Sequence, residues 1–214
     1  MANIILRYLG HASFEVIVDG SVIYIDPYAG EYRDKADLIL MTHSHRDHCD
    51  PDKIEKIKKL GTLLVGPENC RSVISGNFKS ITVGDSFDFH GIMIEAVPAY
   101  NFKRFRFSGV PFHPKDFGVG YLLHIGELVI YHAGDTDFIS EMKNLKNIYL
   151  FLLPVGGTYT MDVEEAVEAT LVVKPVMAIP MHIRDADPEE FKKLVESKSN
   201  VKVSVLSPGE EIRL

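Results

Sequence analysis

The residues best suited to chemistry form one short run, Thr42-His43-Ser44-His45-Arg46-Asp47-His48. Three imidazoles and a carboxylate follow directly after an apolar stretch, and both groups are ligands that zinc and similar divalent ions prefer. Alternate residues of an extended segment project in the same direction, so His43 and His45 are placed to share one ion, while Asp47 and His48 face a second. A solvated, histidine-rich loop is the alternative. The position of the run at the end of a buried strand favours a metal site.

Length and composition are those of an ordinary globular protein. The 214 residues predict one domain, residues 1–214, with a sizeable core. The 23 basic and 30 acidic side chains give a net charge of −7, which argues against binding nucleic acid or an anionic membrane by bulk attraction. The two cysteines imply no disulfide framework. Because there is no signal pattern and no long apolar run, we expect a cytoplasmic protein without a membrane span.

The elements that must position the histidine run are short strands separated by turns, followed by a few helices. Apolar patterning predicts strands at 4–9, 13–18, 22–26, 36–41, 63–65, 80–83, 86–89, 92–97, 119–124, 128–131, 148–153, 176–179 and 201–206. Asp50-Pro51 is typical of a helix start, and this helix is predicted to continue through Leu60 and end at Gly61. Further helices are predicted at 162–172, with Asp162 as cap, and at 188–197.

A faint internal echo relates the two halves of the chain. Val22–Asp26 resembles Val129–Asp135, since each segment is a strand that delivers an aspartate at its end. Two β-rich halves, each covered by helices, would form an α/β protein, a four-layer α/β/β/α sandwich.

The remaining motifs extend this pattern into a family resemblance. The pattern His-x-His-x-Asp-His occurs at residues 43–48, Asp26 follows one strand, Gly134-Asp135-Thr136 follows another, and His182 ends Ile179-Pro180-Met181-His182. In these motifs and their order the chain resembles the metallo-β-lactamase superfamily over nearly its full length. Gly10-His11 and the segment 154–161 look most like its small metal-dependent hydrolases, the group that includes ascorbate-phosphate lactonase.

The resemblance implies a binuclear centre. It places His43 and His45 on one ion and Asp135 as a bridge between both ions. The ligands it implies for the second ion are Asp47, His48 and His182. Asp26 would not touch metal, and would instead orient the histidine loop by accepting hydrogen bonds.

One position departs from the family. A third histidine on the first ion usually follows a strand shortly after mid-chain, whereas here that strand ends Val97-Pro98-Ala99-Tyr100-Asn101. Asn101 can occupy the place as a weak oxygen ligand, or His113 can reach back from the following loop. Imidazole is the better ligand, which favours His113. A weakened first site that loses its metal easily is the third alternative.

Further residues have two interpretations each. His11 and His132 are either neighbours of the metals and substrate or satisfied structural histidines, and Tyr159 either offers a hydroxyl to substrate or belongs to a tight strand-to-helix turn. The segment Tyr100–Phe107 alternates aromatic and basic residues. It is either a strand or hairpin with one buried face, or a lid over the metals whose Lys103, Arg104 or Arg106, or the nearby Lys115, meets an anionic substrate. Stacking on nucleic acid is a third interpretation, disfavoured because nothing elsewhere extends the basic surface.

These observations predict metal-assisted hydrolysis. Two divalent ions, zinc by ligand type with manganese or iron as alternatives, lower the pKa of a shared water to about 7, and Asp47 orients the water or accepts its proton. The predicted substrate is an anionic small molecule with an ester, lactone or phosphodiester bond. The alternatives are a non-catalytic metal-binding or interaction module and, ranked below it, a nuclease. The sequence leaves the oligomeric state open.

Overall fold

The computed structural model describes residues 2–214 and divides into two compact units. The first unit contains the chain up to Thr82 together with Leu206–Leu214, and the second contains Val83–Val205. Each unit is built around one seven-stranded sheet. Whether the chain acts as the single predicted domain, 1–214, stays a prediction.

The sheet of the first unit has the strand order β16-β1-β2-β3-β4-β5-β6. Its strands are β1 (Ile4–Gly10), β2 (Ser13–Val18), β3 (Ser21–Ile25), β4 (Ala36–Leu40), β5 (Lys58–Gly66), β6 (Asn77–Ser80) and β16 (Glu211–Arg213). The unit also contains helix α1 (Pro51–Ile57) and a 3₁₀ turn at Glu68–Ser72. Buried apolar side chains of β3, β4, β5 and α1 form its core, among them Tyr24, Ile39, Met41, Ile54 and Leu64.

The sheet of the second unit has the strand order β15-β14-β13-β12-β11-β8-β7. Its strands are β7 (Ser86–Phe89), β8 (Ile92–Ala99), β11 (Gly118–Ile125), β12 (Leu128–His132), β13 (Leu150–Pro154), β14 (Met177–Met181) and β15 (Lys202–Val203). A separate two-stranded ribbon, β9 (Phe105–Phe107) and β10 (Val110–Pro111), lies between β8 and β11 in the chain. Helices α2 (Val163–Val173) and α3 (Pro188–Lys198) and a 3₁₀ turn at Ser140–Asn144 complete the unit.

The two sheets share one pairing pattern. In the first, β16, β1, β2 and β3 pair antiparallel in turn, and β3, β4, β5 and β6 pair parallel. In the second, β7, β8, β11 and β12 pair antiparallel, and β12, β13, β14 and β15 pair parallel. The echoed segments therefore hold equivalent places, since β3 and β12 are the strands at which each sheet changes from antiparallel to parallel pairing.

Side-chain caps start the helices as the sequence predicts. Asp50 accepts hydrogen bonds from the backbone N–H groups of Asp52 (2.9 Å) and Lys53 (3.2 Å) at the start of α1. Asp162 accepts one from the N–H of Glu165 (2.9 Å) at the start of α2. These bonds satisfy N–H groups that have no partner within the helix.

Some predicted boundaries are wrong, including those of the strands predicted at 63–65 and 201–206, which span Lys58–Gly66 and Lys202–Val203. Helix α1 ends at Ile57 instead of Leu60, because Lys58 turns extended and pairs with Ala36 of β4, and the Thr62 hydroxyl holds the turn by donating to the Ala36 carbonyl at 2.6 Å. Leu60 is left fully exposed at this turn. The strand predicted at 80–83 is displaced to Asn77–Ser80, where it pairs in parallel with β5.

No helix within residues 2–214 combines the length and the apolar character needed to cross a membrane.

Candidate metal centre

In the first unit, the polar residues singled out in the sequence follow the ends of two adjacent parallel strands. Asp26 comes directly after β3, and the run from Thr42 to His48 follows β4. Both β3 and β4 are internal to the sheet, and their carboxyl ends lie side by side because they pair in parallel. Ligand sites of α/β proteins characteristically form at this end of a sheet, where the strand order changes.

Asp26 holds the histidine loop through both of its carboxylate oxygens. Its Oδ1 accepts the Thr42 backbone N–H at 2.7 Å, and its Oδ2 accepts the Thr42 hydroxyl and the Nδ1–H of His48, each at 2.7 Å. Asp26, Thr42 and His48 are all buried. A buried carboxylate is costly unless it is hydrogen-bonded, so these bonds both stabilise Asp26 and fix the ring of His48 with Nε2 as its ligand nitrogen.

His43 is oriented through Thr42. The Thr42 hydroxyl donates to Asp26 and accepts the Nδ1–H of His43 at 3.0 Å, which makes Nε2 the ligand nitrogen of His43. That Nε2 lies 3.0 Å from Nδ1 of His45, and the His43 and His48 rings lie with centroids 4.2 Å apart. The three imidazoles of the run therefore lie close together after the end of β4, and their division between two ions stays a prediction.

Asp47 lies beside His11. The Nε2 of His11 is 3.1 Å from Oδ2 of Asp47, and the same carboxylate oxygen is 4.0 Å from Nε2 of His48. Asp47 is only partly buried, in contrast to Asp26. His11 is therefore placed to orient the Asp47 carboxylate, a role that the sequence left open.

The second unit contains a second cluster of potential ligands, formed by Asp135, His113 and His182. Oδ2 of Asp135 lies 3.4 Å from Nε2 of His113 and 3.3 Å from Nε2 of His182. All three residues are buried, with exposed fractions of 5% or less. Asp135 follows β12 and His182 follows β14, again at the carboxyl ends of parallel strands, while His113 comes from the loop after β10.

Asn101 uses both ends of its side-chain amide to hold this loop. Its Oδ1 accepts the backbone N–H of His113 at 3.0 Å and the Nδ1–H of His113 at 2.7 Å. Its Nδ2 donates to Oδ1 of Asp137 and to the backbone carbonyl of Tyr159, both at 3.0 Å. The amide is thus fully engaged with protein groups, and it presents Nε2 of His113 toward Asp135.

His132 is a buried residue of β12. Its Nδ1 accepts the backbone N–H of Gly134 at 3.2 Å, which supports the turn that carries Asp135. Tyr159 lies in the loop before α2, with its ring 4.6 Å from that of Phe112 in a T-shaped contact. The guanidinium of Arg184 lies over the same ring, 4.7 Å from its centroid.

Two of the basic residues in the segment Tyr100–Phe107 form ion pairs with carboxylates. Arg104 forms ion pairs with Asp137 (2.8 Å), Asp162 (3.0 Å) and Glu165 (2.5 Å), and Lys103 pairs with Glu165 at 2.5 Å. Burial alone would raise the pKa of Glu165, but the hydrogen bonds from Lys103 and Arg104 outweigh it and lower that pKa. Lys103 and Arg104 therefore fasten the segment to the start of α2. Arg106 is exposed on β9.

Several site residues have strained backbone. The φ angles are +56° at His11, +47° at Asp26 and +49° at His182. Residues other than glycine rarely occupy this region. Such strain tends to concentrate at functional sites, where the surrounding structure compensates its cost.

Sequence reasoning missed Thr42, Asp137 and Arg184. The available signals were the threonine adjoining the first histidine, the second aspartate of Gly134-Asp135-Thr136-Asp137, and an arginine two positions after His182. Asp137 is buried and accepts the backbone N–H groups of Phe102 (2.8 Å) and Lys103 (2.7 Å), besides its bonds to Asn101 and Arg104. It therefore anchors the start of the loop that ends at His113.

The chemistry of the donors fits divalent metal ions in both units. The first unit offers imidazoles of fixed tautomer with a nearby carboxylate, and the second offers two imidazoles around one buried carboxylate oxygen. Imidazole nitrogen and carboxylate oxygen suit zinc and comparable ions, and a bound cation would compensate the burial of the Asp135 charge.

Comparison with known proteins agrees with this chemistry. Residues 5–182 match the family model described as "Beta-lactamase superfamily domain". A UPF0173 metal-dependent hydrolase of Staphylothermus marinus is 35% identical and covers 96% of this chain and 97% of its own length. One from Thermococcus onnurineus is 36% identical, covering 98% of this chain and 99% of its own. The solved structure of Igni18, a metallo hydrolase from Ignicoccus hospitalis, has a TM-score of 0.82 at 30% identity and covers 99% of this chain and 98% of its own.

Proposed function

The chain belongs to the β-lactamase superfamily domain family, among its UPF0173 metal-dependent hydrolases, and we propose that it hydrolyses an ester, lactone or phosphodiester bond of a small anionic molecule at a binuclear metal centre. The predicted α/β fold class, the metallo-β-lactamase sandwich, is confirmed by the same similarities. The likeness to ascorbate-phosphate lactonase within the superfamily stays a prediction, as do the substrate bond and the identity of the metals.

The observation that carries the proposal is the position of Asp135. One oxygen of its buried carboxylate faces the Nε2 atoms of His113 and His182 at 3.4 and 3.3 Å. A carboxylate between two imidazoles is the donor arrangement expected of a bridging ligand. A purely structural aspartate needs no second imidazole at the same oxygen.

We assign the ligands by the motif order of the family. On this order, His43, His45 and His113 would hold the first ion, Asp47, His48 and His182 would hold the second, and Asp135 would be the shared ligand. In this assignment His113 takes the place of the missing third histidine. The assignment is supported by Asn101, the other candidate, because both ends of its amide are already hydrogen-bonded to protein groups.

Two divalent ions, zinc by the nature of the donors, would supply an activated water and an electrophile that stabilises negative charge on the substrate. The residues of the chain perform the other tasks. Asp47 orients the attacking water and accepts its proton, and His11 holds the Asp47 carboxylate from 3.1 Å away. Asp26 fixes His48 directly and His43 through Thr42, so that the ligand nitrogens are preorganised.

The test combines metal content with turnover. Wild type purified without chelator should contain two ions per chain, and His113→Ala should contain one. His124→Ala removes a partly exposed histidine outside the site and serves as the matched control. Wild type should hydrolyse at least one of para-nitrophenyl acetate, bis(para-nitrophenyl) phosphate and a simple lactone, and should lose this activity on chelation.

Other outcomes would contradict the proposal. A content of one ion or fewer per wild-type chain would contradict the assignment of two metal ions. Two ions per chain in His113→Ala would mean that Asn101 or water, rather than His113, is the third ligand of the first ion. Two ions without turnover of any substrate class would favour the alternative of a non-catalytic metal-binding module, and cleavage of nucleic acid alone would favour a nuclease.

A further inference from the structure

Arg184 is a neighbour of the proposed metal ligand His182 in the chain, and the proposed function gives it no role. It follows the ligand His182 by two residues, and its guanidinium lies 4.7 Å from the centroid of the Tyr159 ring. The side chain is exposed, and the aromatic ring under it is partly buried. A guanidinium over an aromatic face is held there by cation–π attraction, which limits its motion without using its N–H donors.

The backbone on both sides of this contact is closely held. Gly156 passes so near the strand end that an added Cβ would lie 2.3 Å from the carbonyl oxygen of His182, and Arg184 itself has a φ of +51°. The Tyr159 carbonyl accepts the Asn101 amide, and its ring rests on Phe112, the residue before His113. The stacked pair is therefore tied to the same loops that present His113 and His182.

Arg184 and Arg104 differ in the charges that surround them. Arg104 is neutralised by three carboxylates, as described above. Within residues 2–214, no ion pair or hydrogen bond engages the Arg184 side chain, and its guanidinium contacts the Tyr159 ring. Because stacking uses the face of the guanidinium, the N–H donors at its edge keep the fork geometry that matches a carboxylate or a phosphoryl group.

We propose that Arg184, held by Tyr159, is the specificity-determining residue that binds an oxyanion group of the substrate, a carboxylate or a phosphoryl group, beside the metal centre. The inference rests on the proposed function for the location of the scissile bond. The sequence offered this anion recognition, as one interpretation, to Lys103, Arg104, Arg106 or Lys115. Of these, Lys103 and Arg104 are engaged with carboxylates.

Two esters with the same leaving group test the proposal on the metal-loaded full chain, para-nitrophenyl acetate as the neutral one and mono-para-nitrophenyl succinate as the anionic one. In Arg184→Gln, the ratio of kcat/KM for the anionic over the neutral ester should fall by about 10- to 100-fold, the effect of losing one charge-assisted contact. Arg106→Gln makes the same charge change on the exposed strand β9 and is the matched control. An equal fall in both variants, or in neither, would overturn the assignment to Arg184.

Variants of Tyr159 test the positioning of the guanidinium. Tyr159→Phe keeps the ring and should keep the wild-type ratio, whereas Tyr159→Leu removes the aromatic face and should lower it. Loss of the ratio in Tyr159→Phe would instead assign anion recognition to the tyrosine hydroxyl and contradict the stacked arrangement.

A binding measurement separates failure of this inference from failure of the proposed function. Calorimetric titration of the metal-loaded chain with methylphosphonate requires no turnover. A dissociation constant weakened about tenfold or more in Arg184→Gln, but unchanged in Arg106→Gln, would support the anion site even if neither ester were hydrolysed. Equal binding by wild type and Arg184→Gln would overturn the site even if the enzyme were active.

Discussion

Asp26 and Asn101 have comparable parts in the two units, since each engages both polar atoms of its side chain in hydrogen bonds and orients a histidine ring directly. Asp26 accepts three hydrogen bonds, one of them from His48 and one from the threonine that orients His43. Asn101 accepts two from His113 and donates two, to Asp137 and to the Tyr159 carbonyl. Outer partners of this kind set the tautomer and the direction of a ligand, and so influence metal affinity without touching the metal.

Replacing Asn101 by alanine should therefore weaken one metal site and spare the other. We expect the affinity for the zinc ion assigned to His113 to fall by about 10- to 100-fold, measured by competition with a chromophoric chelator. In the metal-free chain, nitrogen-15 NMR should show His113 as the Nδ1–H tautomer in wild type and as a mixture in Asn101→Ala.

Asn144→Ala is the matched control, because Asn144 is exposed in the same unit. Unchanged zinc affinity and an unchanged His113 tautomer in Asn101→Ala would refute the positioning role. An effect of equal size in Asn144→Ala would assign the loss to a general change in the unit.

For single residues, the sequence identifies candidate ligands that lie within one short motif. It does not identify contacts between residues that a loop brings together. His43, His45 and His48 lie close together because they are neighbours in the short run that follows β4. The choice between Asn101 and His113 could not be made from the sequence, because it depends on how twelve residues of loop fold back on themselves. Lys103 and Arg104 could not be recognised as ion-paired for the same reason, since Glu165 lies about sixty positions along the chain.

Among the elements, the start of α2 does more than begin a helix. Asp162 caps the helix and pairs with Arg104, and Glu165 in its first turn pairs with Lys103 and Arg104. The helix start thereby anchors the segment that leads from Asn101 to His113. Acidic residues in a first helical turn are common for reasons of helix electrostatics alone, so this second role could not be recognised from the residue types.

The pH dependence of stability should report on this anchor. The fold lowers the pKa of Glu165, so its ion pairs stabilise the protein above the ordinary value of 4.5, and this stabilisation is lost as the pH falls through the lowered pKa. Glu165→Gln should reduce the free energy of unfolding by about 1–3 kcal/mol at neutral pH. In urea titrations at a series of pH values, the gap to wild type should narrow as the pH falls below 4.5.

Glu168→Gln changes an exposed glutamate one turn further along α2 and is the control for the loss of a charge. A gap for Glu165→Gln that is independent of pH would mean that packing, rather than the ion pairs, accounts for the destabilisation.

Element boundaries were predictable where a local signal set them and not where strand pairing did. Asp50 and Asp162 cap their helices as predicted, because a cap is a local hydrogen bond. The end of α1 was misplaced because the helical spacing of Leu60 is overridden by the pairing of Lys58 with Ala36, twenty-two positions earlier in the chain.

On the scale of the whole molecule, two sheets of the same strand pattern place their candidate ligands at the same kind of position. Asp26 follows β3 and Asp135 follows β12, and both strands mark the change from antiparallel to parallel pairing. The sequence echo at Val22–Asp26 and Val129–Asp135 thus has a structural counterpart. The pattern of strands and helices together with the family resemblance predicted the α/β class, whereas the cytoplasmic location stays a prediction.

Removal of metal should lower the stability of the chain markedly if the ions bind as proposed. A ligand at a thousand times its dissociation constant adds about 4 kcal/mol to the folded state, and a chain of this size loses about 8–16 °C in Tm for that amount. Scanning calorimetry with and without chelator measures the shift, and added zinc should restore the original Tm.

His124→Ala should show the full shift, and Asp135→Ala, which lacks the proposed bridge, should show a smaller one. Equal Tm values for wild type in chelator and in zinc would contradict a metal centre built into the fold.

Strand β16 has a consequence for how the protein folds on the ribosome. It pairs with β1, so the first unit is assembled from the earliest residues of the chain and from a strand some two hundred positions later. Until that strand is synthesised, the backbone groups at the outer edge of β1 stay without their pairing partner, whereas Val83–Val205 form one continuous segment that precedes β16 in the chain. We therefore expect the second unit to fold first during translation, and the exposed edge of β1 to be the place where an incompletely made chain aggregates.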